Sequence, residues 1–184
     1  LSGVVIKIVG VYALVRVIFN IIGFTQLLSS VFIWLGIVSM SAGVLLAIGQ
    51  WDFKRLLAYH SISQIGYVVF AIGLGTPLGI TAGLFHLFNH SLFKSLLFLN
   101  SGAVEYSTGT RRLEKLGGLY QGMPVTSATS LVASFSIAGI PPFCGFWSKL
   151  MIIIAAFQAN NIAGAVVCIA VAMVTLASFL KVQK

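Results

Sequence analysis

Long apolar runs, each closed by a few polar, glycine or proline residues, fill almost the whole of this sequence. Hydrophobic residues make up 59% of the chain and charged residues only 8%, with a mean hydropathy of +1.06. Ordinary soluble domains carry about 25% charged residues. A backbone inside lipid must satisfy its own hydrogen bonds, which favours helices for runs of this length. The sequence therefore predicts an all-α membrane protein with one transmembrane domain over residues 1–184.

The polar and Gly/Pro interruptions divide the chain into about seven transmembrane helices. These are predicted at Leu1–Ile22, Val31–Gly49, Leu56–Gly73, Ile80–Val104, Val125–Ala138, Phe143–Phe157 and Ile162–Leu180, with a polar loop at Glu105–Met123. Gly139, Pro141 and Pro142 mark a helix break, because proline cannot continue a helix. A second break, at residues 158–161 after the short sixth run, suggests a discontinuous membrane helix, and such helices often mark ion or substrate sites.

One predicted helix carries ionisable residues that its apolar surroundings do not explain. His86, His90 and Lys94 lie four residues apart in HLFNHSLFK. Each step of four rotates only about 40° in a helix, so these side chains form one stripe about 12 Å long. A structural role, with core histidines bonded to backbone carbonyls, is the alternative. Ionisable groups inside membranes are functional by default, and imidazole both donates and accepts protons, which favours a proton relay.

Lys7 and Lys149 also lie within apolar runs. A charged side chain at mid-membrane costs about 3 kcal/mol on insertion scales, so each lysine needs a reason. Snorkelling of the long side chain to the interface is the structural alternative. The acidic residues all fall at predicted helix ends or in loops: Asp52, Glu105 and Glu114. The buried lysines therefore take partners from elsewhere or spend part of their time neutral, which suits a proton carrier.

The formal net charge of +8 does not indicate a nucleic-acid partner, because the cations lie in short loops or inside apolar runs. Counting loop cations favours one side as cytoplasmic. That side is predicted to carry Lys54, Arg55, Arg111, Arg112 and Lys115, and the other side Arg16, Lys181 and Lys184. Cys144 and Cys168 are isolated from each other, and the chain shows no cofactor motif. We therefore predict no cofactor, no metal site and no catalytic residue.

Haem binding is another interpretation of the histidines. His86 and His90, four residues apart on one helix, cannot bind opposite faces of one iron. An axial pair would need His60, which falls near the predicted membrane edge. A b-type cytochrome is therefore a third hypothesis, after the two described below.

Four stretches of the sequence stand out together: LSGVVIKIVGVYALVR, DFKRLLAYHSISQIGY, HLFNHSLFKSLLFLNSG, and TGTRRLEKLGGL through GIPPFCGFWSKL. In this order they resemble the antiporter-like membrane subunits of respiratory complex I, membrane-bound hydrogenases and Mrp-type multisubunit sodium/proton antiporters. Members contain two inverted five-helix repeats, each with a broken helix that carries a buried lysine or glutamate. The resemblance implies that residues 1–49 are the tail of the first repeat and residues 50–184 the second repeat, so that the chain is a fragment of a longer member.

The resemblance also implies roles for particular residues. Lys7 matches the key lysine of the first broken helix, and Lys149 matches the ionisable residue of the second. The stripe of His86, His90 and Lys94 matches the hydrophilic chain that links the two half-channels. The sequence departs from the family at His60, where a serine is usual, and lacks the helix whose glutamate pairs with the first lysine.

We therefore expect a membrane subunit of a redox-driven pump or antiporter that translocates protons, with or without exchange for sodium. Its expected partners are other membrane subunits, a peripheral redox module of the NADH dehydrogenase or hydrogenase type, and the lipid bilayer. The chain itself is expected to be non-catalytic and to lie in a prokaryotic cytoplasmic membrane. The alternative is a scaffold subunit that retains the fold and has lost transport.

Overall fold

The computed structural model describes residues 5–183, which fold into eight α-helices and contain no β-strand. They are α1 Val5–Val17, α2 Gln26–Ile48, α3 Phe53–Gly73, α4 Pro77–Thr108, α5 Leu119–Gly122, α6 Pro124–Ala138, α7 Cys144–Gln158 and α8 Ile162–Leu180. A π-helical turn at Ile18–Ile22 extends α1, and 3-10 turns occupy Leu113–Lys115 and Lys181–Gln183. Apart from the short α5, these are the predicted apolar helices. The all-α membrane fold is confirmed.

Four spans within the described part are long and apolar enough to cross a membrane: Val5–Ile22, Gln26–Ile48, Phe53–Gly73 and Ile162–Gln183. Some helices begin before their apolar runs because a polar side chain caps the first turn. The Asp52 carboxylate accepts a hydrogen bond from the backbone N–H of Arg55 at 3.0 Å, and Thr76 accepts from Gly79 at 3.0 Å. Such caps satisfy N–H groups that lack a partner within the helix. The sequence therefore placed the starts of α3 and α4 too late.

The helices form a bundle around α3, which packs against α2 on one side and α4 on the other. The pairing of α2 with α3 is close because glycines face the neighbouring backbone. A Cβ atom added at Gly66 would lie 2.5 Å from the backbone nitrogen of Met40 and 2.9 Å from the carbonyl oxygen of Gly36. Small residues permit this approach between membrane helices. Helix α8 closes the bundle against α2, whereas α1 contacts it through a few residues of α3.

Helix α6 runs antiparallel to α4, beside the C-terminal half of that helix. The Asn100 amide donates to Thr129 Oγ1 at 3.1 Å, near the start of α6. Further along, Ile137 at the end of α6 packs in one cluster with Phe93 and Leu97 of α4. The residue numbers of the two helices therefore run in opposite directions along this contact, and α6 ends beside the middle of α4.

Helix α7 continues in the same direction along the N-terminal half of α4. The Asn89 amide donates to the carbonyl of Cys144 at 3.3 Å, and His86 Nδ1 lies 2.8 Å from Ser148 Oγ. Helices α6 and α7, each of 15 residues, are therefore two halves of one crossing. The break between them, at residues 139–143, lies beside the centre of α4.

The turn at residues 158–161 lies at the edge of the bundle. Asn160 is exposed there, and Gly164 at the start of α8 packs against Phe70 in the last turns of α3. The expectation that this second break interrupts a helix at membrane depth is therefore wrong. A short apolar run followed by polar residues is equally typical of a turn at the membrane edge. Only the tertiary contacts distinguish such a turn from a helix break at membrane depth.

Lys181 lies on the opposite side of the membrane from the one expected. Its ammonium donates to the carbonyls of Ile48 at 2.9 Å and Gln50 at 2.5 Å, at the connection between α2 and α3. Because α6 and α7 share one crossing, α8 returns to the side on which α3 begins. We call this side, defined by Asp52, Lys54 and the loop after α4, the charged face. Lys184, which was expected beside Lys181, lies outside the described residues.

Ion pairs and backbone hydrogen bonds fasten the end of α4 and the loop after it to the start of α3. Arg111 Nε lies 2.7 Å from Asp52 Oδ2, and the Lys54 ammonium pairs with the Glu105 carboxylate. The backbone N–H of Phe53 donates to the carbonyl of Arg111 at 3.0 Å. The chain's few carboxylates are therefore used at the charged face or exposed there, and the bundle interior formed by the described residues has none.

The ion pair of Glu105 makes the folding stability depend slightly on pH. The hydrogen bond from Lys54 lowers the pKa of the Glu105 carboxyl. The pKa of Glu105 is lower in the folded state than in the unfolded state. The ion pair therefore stabilises the fold at pH values above the ordinary glutamate pKa of about 4.3, and this stabilisation is lost as the pH falls through the folded-state pKa. We expect Glu105→Gln to lower the thermal unfolding temperature slightly at neutral pH and to have no effect in acid, since a partly exposed ion pair contributes little.

Thermal unfolding of the detergent-solubilised full-length protein at both pH values measures this effect. Glu114→Gln is the matched control, because Glu114 is exposed in the loop after α4, at the same face, and forms no ion pair within the described chain. An equal loss of stability at neutral and acid pH would contradict the prediction.

Candidate functional site

The stripe of α4 lies inside the bundle, facing polar groups of α3. His86, His90 and Lys94 are each 0% exposed. The Lys94 ammonium donates to the carbonyl of Leu57, and His86 Nε2 lies 3.1 Å from Gln64 Oε1. Because α3 and α4 run antiparallel, their polar groups meet along the length of the stripe. Lys94 therefore does not snorkel.

Lys94 is held by a backbone carbonyl and not by a carboxylate. The Leu57 carbonyl that accepts from its ammonium also accepts from Ser61 Oγ at 3.0 Å. The ammonium lies 5.4 Å from the centre of the Phe98 ring, which adds a cation–π contact. A carbonyl accepts an N–H from an ammonium and from a neutral amine alike, so this anchor does not fix Lys94 in the charged form.

His86 joins α3 to α7 through both ring nitrogens. With the amide oxygen of Gln64 at 3.1 Å from Nε2, the hydrogen of the neutral ring lies on Nε2. Nδ1 then accepts from the Ser148 hydroxyl at 2.8 Å. His86 is therefore placed to receive a proton on one nitrogen and release one from the other.

Lys149 follows Ser148 directly and is held by the broken helix. Its ammonium donates to the carbonyls of Ile137 at 2.7 Å and Ala138 at 3.2 Å, and the residue is only 4% exposed. Helix α6 ends at Ala138, so its last carbonyls lack partners within the helix and carry the negative end of the helix dipole. Gly139 allows this ending because it adopts φ 86°. The break thus forms a cation site from backbone atoms.

His90 lies between His86 and Lys94 on α4, and neither of its ring nitrogens has a hydrogen-bond partner in the part of the chain described. Its ring meets the Phe93 ring edge-on at 5.5 Å. A buried polar group left unpaired costs about 1–3 kcal/mol. Such groups recruit internal water, which bridges polar side chains nearly as well as a direct hydrogen bond. We therefore expect His90 to connect the two ends of the stripe through water.

Lys7 is separated from the stripe by a cavity. This half-buried residue of α1 borders a space of about 380 Å³, which Ser39 and Ser61 also line. The ammonium nitrogen of Lys7 is buried and has no hydrogen-bond partner among residues 5–183. Ser61 shares the Leu57 carbonyl with Lys94. The cavity therefore extends from Lys7 to Ser61, which bonds the same carbonyl as Lys94.

Sequence reasoning missed several polar partners, chiefly Gln64 and Ser148. The signal for Gln64 was present, because His60, Gln64 and Tyr67 are spaced by four and three residues and share a face of α3. His60, which was expected near the membrane edge, is fully buried within the bundle. For Ser148 we find no comparable signal, since one serine in an apolar run is ordinary.

These features define a polytopic membrane protein that encloses a line of lysine, histidine and serine side chains beside a broken helix, an arrangement typical of ion transporters. Residues 1–175 match the family described as "NADH:quinone oxidoreductase/Mrp antiporter, TM". The chain belongs to this family, which confirms the resemblance that its motifs suggested.

Similar proteins from antiporter and respiratory complexes support the assignment to this family. One subunit of the Na(+)/H(+) antiporter of Alkalihalophilus pseudofirmus is 42% identical over 186 residues, covering 99% of this chain and 37% of the relative. A protein in the Mrp complex from Dietzia sp. is 44% identical with a TM-score of 0.78, over 82% of this chain and 29% of that one. An archaeal respiratory complex, the membrane-bound sulfane sulfur reductase, gives 32% identity and a TM-score of 0.80, over 85% and 32%. The chain spans about a third of the length of these relatives.

Proposed function

We propose that this chain is part of an ion-translocating membrane subunit in which protons move along Lys7, the stripe of α4 and Lys149. The observation that carries the proposal is the burial of His86, His90 and Lys94 against polar groups of α3 and α7. Groups that titrate, enclosed away from lipid and joined by hydroxyls and carbonyls, can pass protons through the bundle.

The contacts suggest a sequence of transfers at the α7 end of the path. Lys149 is adjacent in the chain to Ser148, whose hydroxyl lies 2.8 Å from His86 Nδ1. The Lys149 ammonium lies 5.1 Å from the centre of the Tyr67 ring, which itself lies 5.7 Å from the His86 ring. A proton given up by Lys149 reaches His86, then His90 and then Lys94, through bridging water at each step. Carbonyl anchors suit this exchange because they bind each lysine in either protonation state.

Other membrane subunits are the partners we propose. The relatives include members of an Mrp complex and of a respiratory membrane complex. Inside the bundle, the described residues supply no carboxylate for Lys7, so its counter-ion would come from another part of the full-length protein or from another subunit. An ion gradient or a peripheral redox module would supply the energy. Bacterial and archaeal relatives support a prokaryotic cytoplasmic membrane. The division into repeats at residue 49 remains a prediction.

Replacing Lys94 with alanine tests the proposal. We expect the Lys94→Ala variant of the full-length protein to assemble and to lose proton translocation in inverted membrane vesicles, measured by quenching of a pH-sensitive acridine dye. Lys115→Ala is the matched control, since Lys115 is exposed at the charged face, and it should transport normally.

The same substitutions would have different effects if the chain were a scaffold subunit. Lysine variants of a scaffold would either fail to assemble or behave like the native protein. Intact assembly with unchanged proton translocation in Lys94→Ala vesicles would therefore rule out the path and favour the scaffold.

A further inference from the structure

His60 of α3 is a buried ionisable residue that the path described above does not use. It is 0% exposed, and its Nε2 lies 2.5 Å from Ser178 Oγ on α8. Its Nδ1 is buried and has no hydrogen-bond partner in the described chain. The ring packs against Phe179 with the centroids 4.7 Å apart. One nitrogen of this imidazole is therefore bonded, and the other is free to accept a proton.

His60 lies one helical turn from the anchor of Lys94. Leu57, whose carbonyl accepts from the Lys94 ammonium, precedes His60 by three residues, a rise of about 4.5 Å along the helix. The charged groups that act on the His60 ring are all cations on neighbouring elements: Lys94, Lys149 and Lys181. Lys94 is thus placed to exchange a proton with His60 through bridging water.

The hydrogen bonds of Ser178 fix the direction of this contact. Its hydroxyl donates to the carbonyl of Thr175 at 2.9 Å, so its oxygen accepts from Nε2–H of His60. The neutral ring therefore carries its hydrogen on Nε2. The lone pair of the unbonded Nδ1 is the position at which an incoming proton binds.

Ser178 precedes by one helical turn Lys181, which borders a cavity of about 680 Å³ at the charged face. Ala177 of α8 and Lys181 of the 3-10 turn after it line this space, and Ser127 and Ser130 line it from α6. Its volume and its polar groups are sufficient for several water molecules. Ser178, the hydrogen-bond partner of His60, therefore lies within one helical turn of a space that water can occupy.

We propose that His60 and Ser178 form a branch that carries protons between Lys94 and this cavity, an inference that rests on the proposed translocation function. An N–H bond of the Lys94 ammonium breaks and a new one forms at His60 Nδ1. His60 Nε2 passes its proton to Ser178 Oγ, and the original hydroxyl hydrogen of Ser178 moves to water in the cavity. The reverse sequence carries a proton inward.

Two substitutions in the full-length protein test the branch. Ser178→Ala removes one oxygen, and His60→Gln keeps a donor toward Ser178 while removing the ring that carries the proton. Each is expected to slow proton translocation in vesicles about 100-fold, the lower end of the range for single proton-transfer groups. Thr175→Val is the control, because its hydroxyl is bonded to the carbonyl of Val171 and lies outside the branch.

The outcomes separate this inference from the proposed function. Native translocation in Ser178→Ala, in vesicles where Lys94→Ala translocates nothing, overturns the branch and leaves the main path intact. Native translocation in both Ser178→Ala and Lys94→Ala overturns the branch and the main path together. If Ser178→Ala assembles poorly, His60→Gln decides, since slow translocation by an assembled variant supports the branch and native translocation overturns it.

Discussion

Replacing Lys149 with alanine is expected to abolish proton translocation while the protein still assembles. The ammonium of Lys149 is the only described group that bonds both the carbonyls of Ile137 and Ala138, and Lys149 follows Ser148, whose hydroxyl bonds His86. Its removal interrupts the path at the break between α6 and α7. A loss of about 100-fold or more is expected, within the range found for groups that transfer protons. Dye quenching in inverted vesicles, normalised to the amount of assembled protein, measures the loss.

Lys149→Arg distinguishes a proton carrier from a structural cation. A guanidinium donates to the same carbonyls but does not give up its proton in proteins. We therefore expect Lys149→Arg to keep the thermal stability of the native protein and to be as inactive as Lys149→Ala. Native translocation by the arginine variant would show that Lys149 supplies only a fixed positive charge, which would contradict its place in the path.

The spacing of ionisable residues predicted the stripe well, because helical periodicity is a local property. Steps of four residues place His86, His90 and Lys94 on one face whatever surrounds the helix. What the sequence left open was the partner of each lysine. Lys149 bonds the end of α6 and Lys94 bonds a carbonyl of α3, and backbone atoms leave no mark on a residue pattern.

The course of the chain through the membrane was harder to predict than the helices themselves. The sequence indicated two breaks, one at Gly139 to Pro142, where prolines end a helix, and one at residues 158–161, where polar residues follow a short apolar run. Only tertiary contacts show that the first lies beside the middle of α4 and that the second lies at the edge. The error placed Lys181 on the wrong side, since the expected topology depends on the number of crossings.

Gly145→Ala is expected to have the largest effect on folding. Gly145 lies in the first turn of α7, where an added Cβ atom would overlap the carbonyl oxygen of Ser136 on α6. The clash is with backbone, so a change of side-chain rotamer cannot relieve it. Overpacking costs about 1–3 kcal/mol and occasionally more, and we expect this substitution to lie at or above the upper value. Separating α6 from α7 would also draw Lys149 away from its carbonyls.

Gly102→Ala is the matched control, because Gly102 lies inside α4 with no atom within 4 Å of an added Cβ. Alanine is favoured over glycine in a helix by about 1 kcal/mol, so this variant is expected to be as stable as the native protein or more so. Thermal unfolding of the solubilised full-length protein, with the yield of folded protein in membranes, gives both results. A native unfolding temperature for Gly145→Ala would mean that α6 and α7 are not in backbone contact, and the site that holds Lys149 would then have to be abandoned.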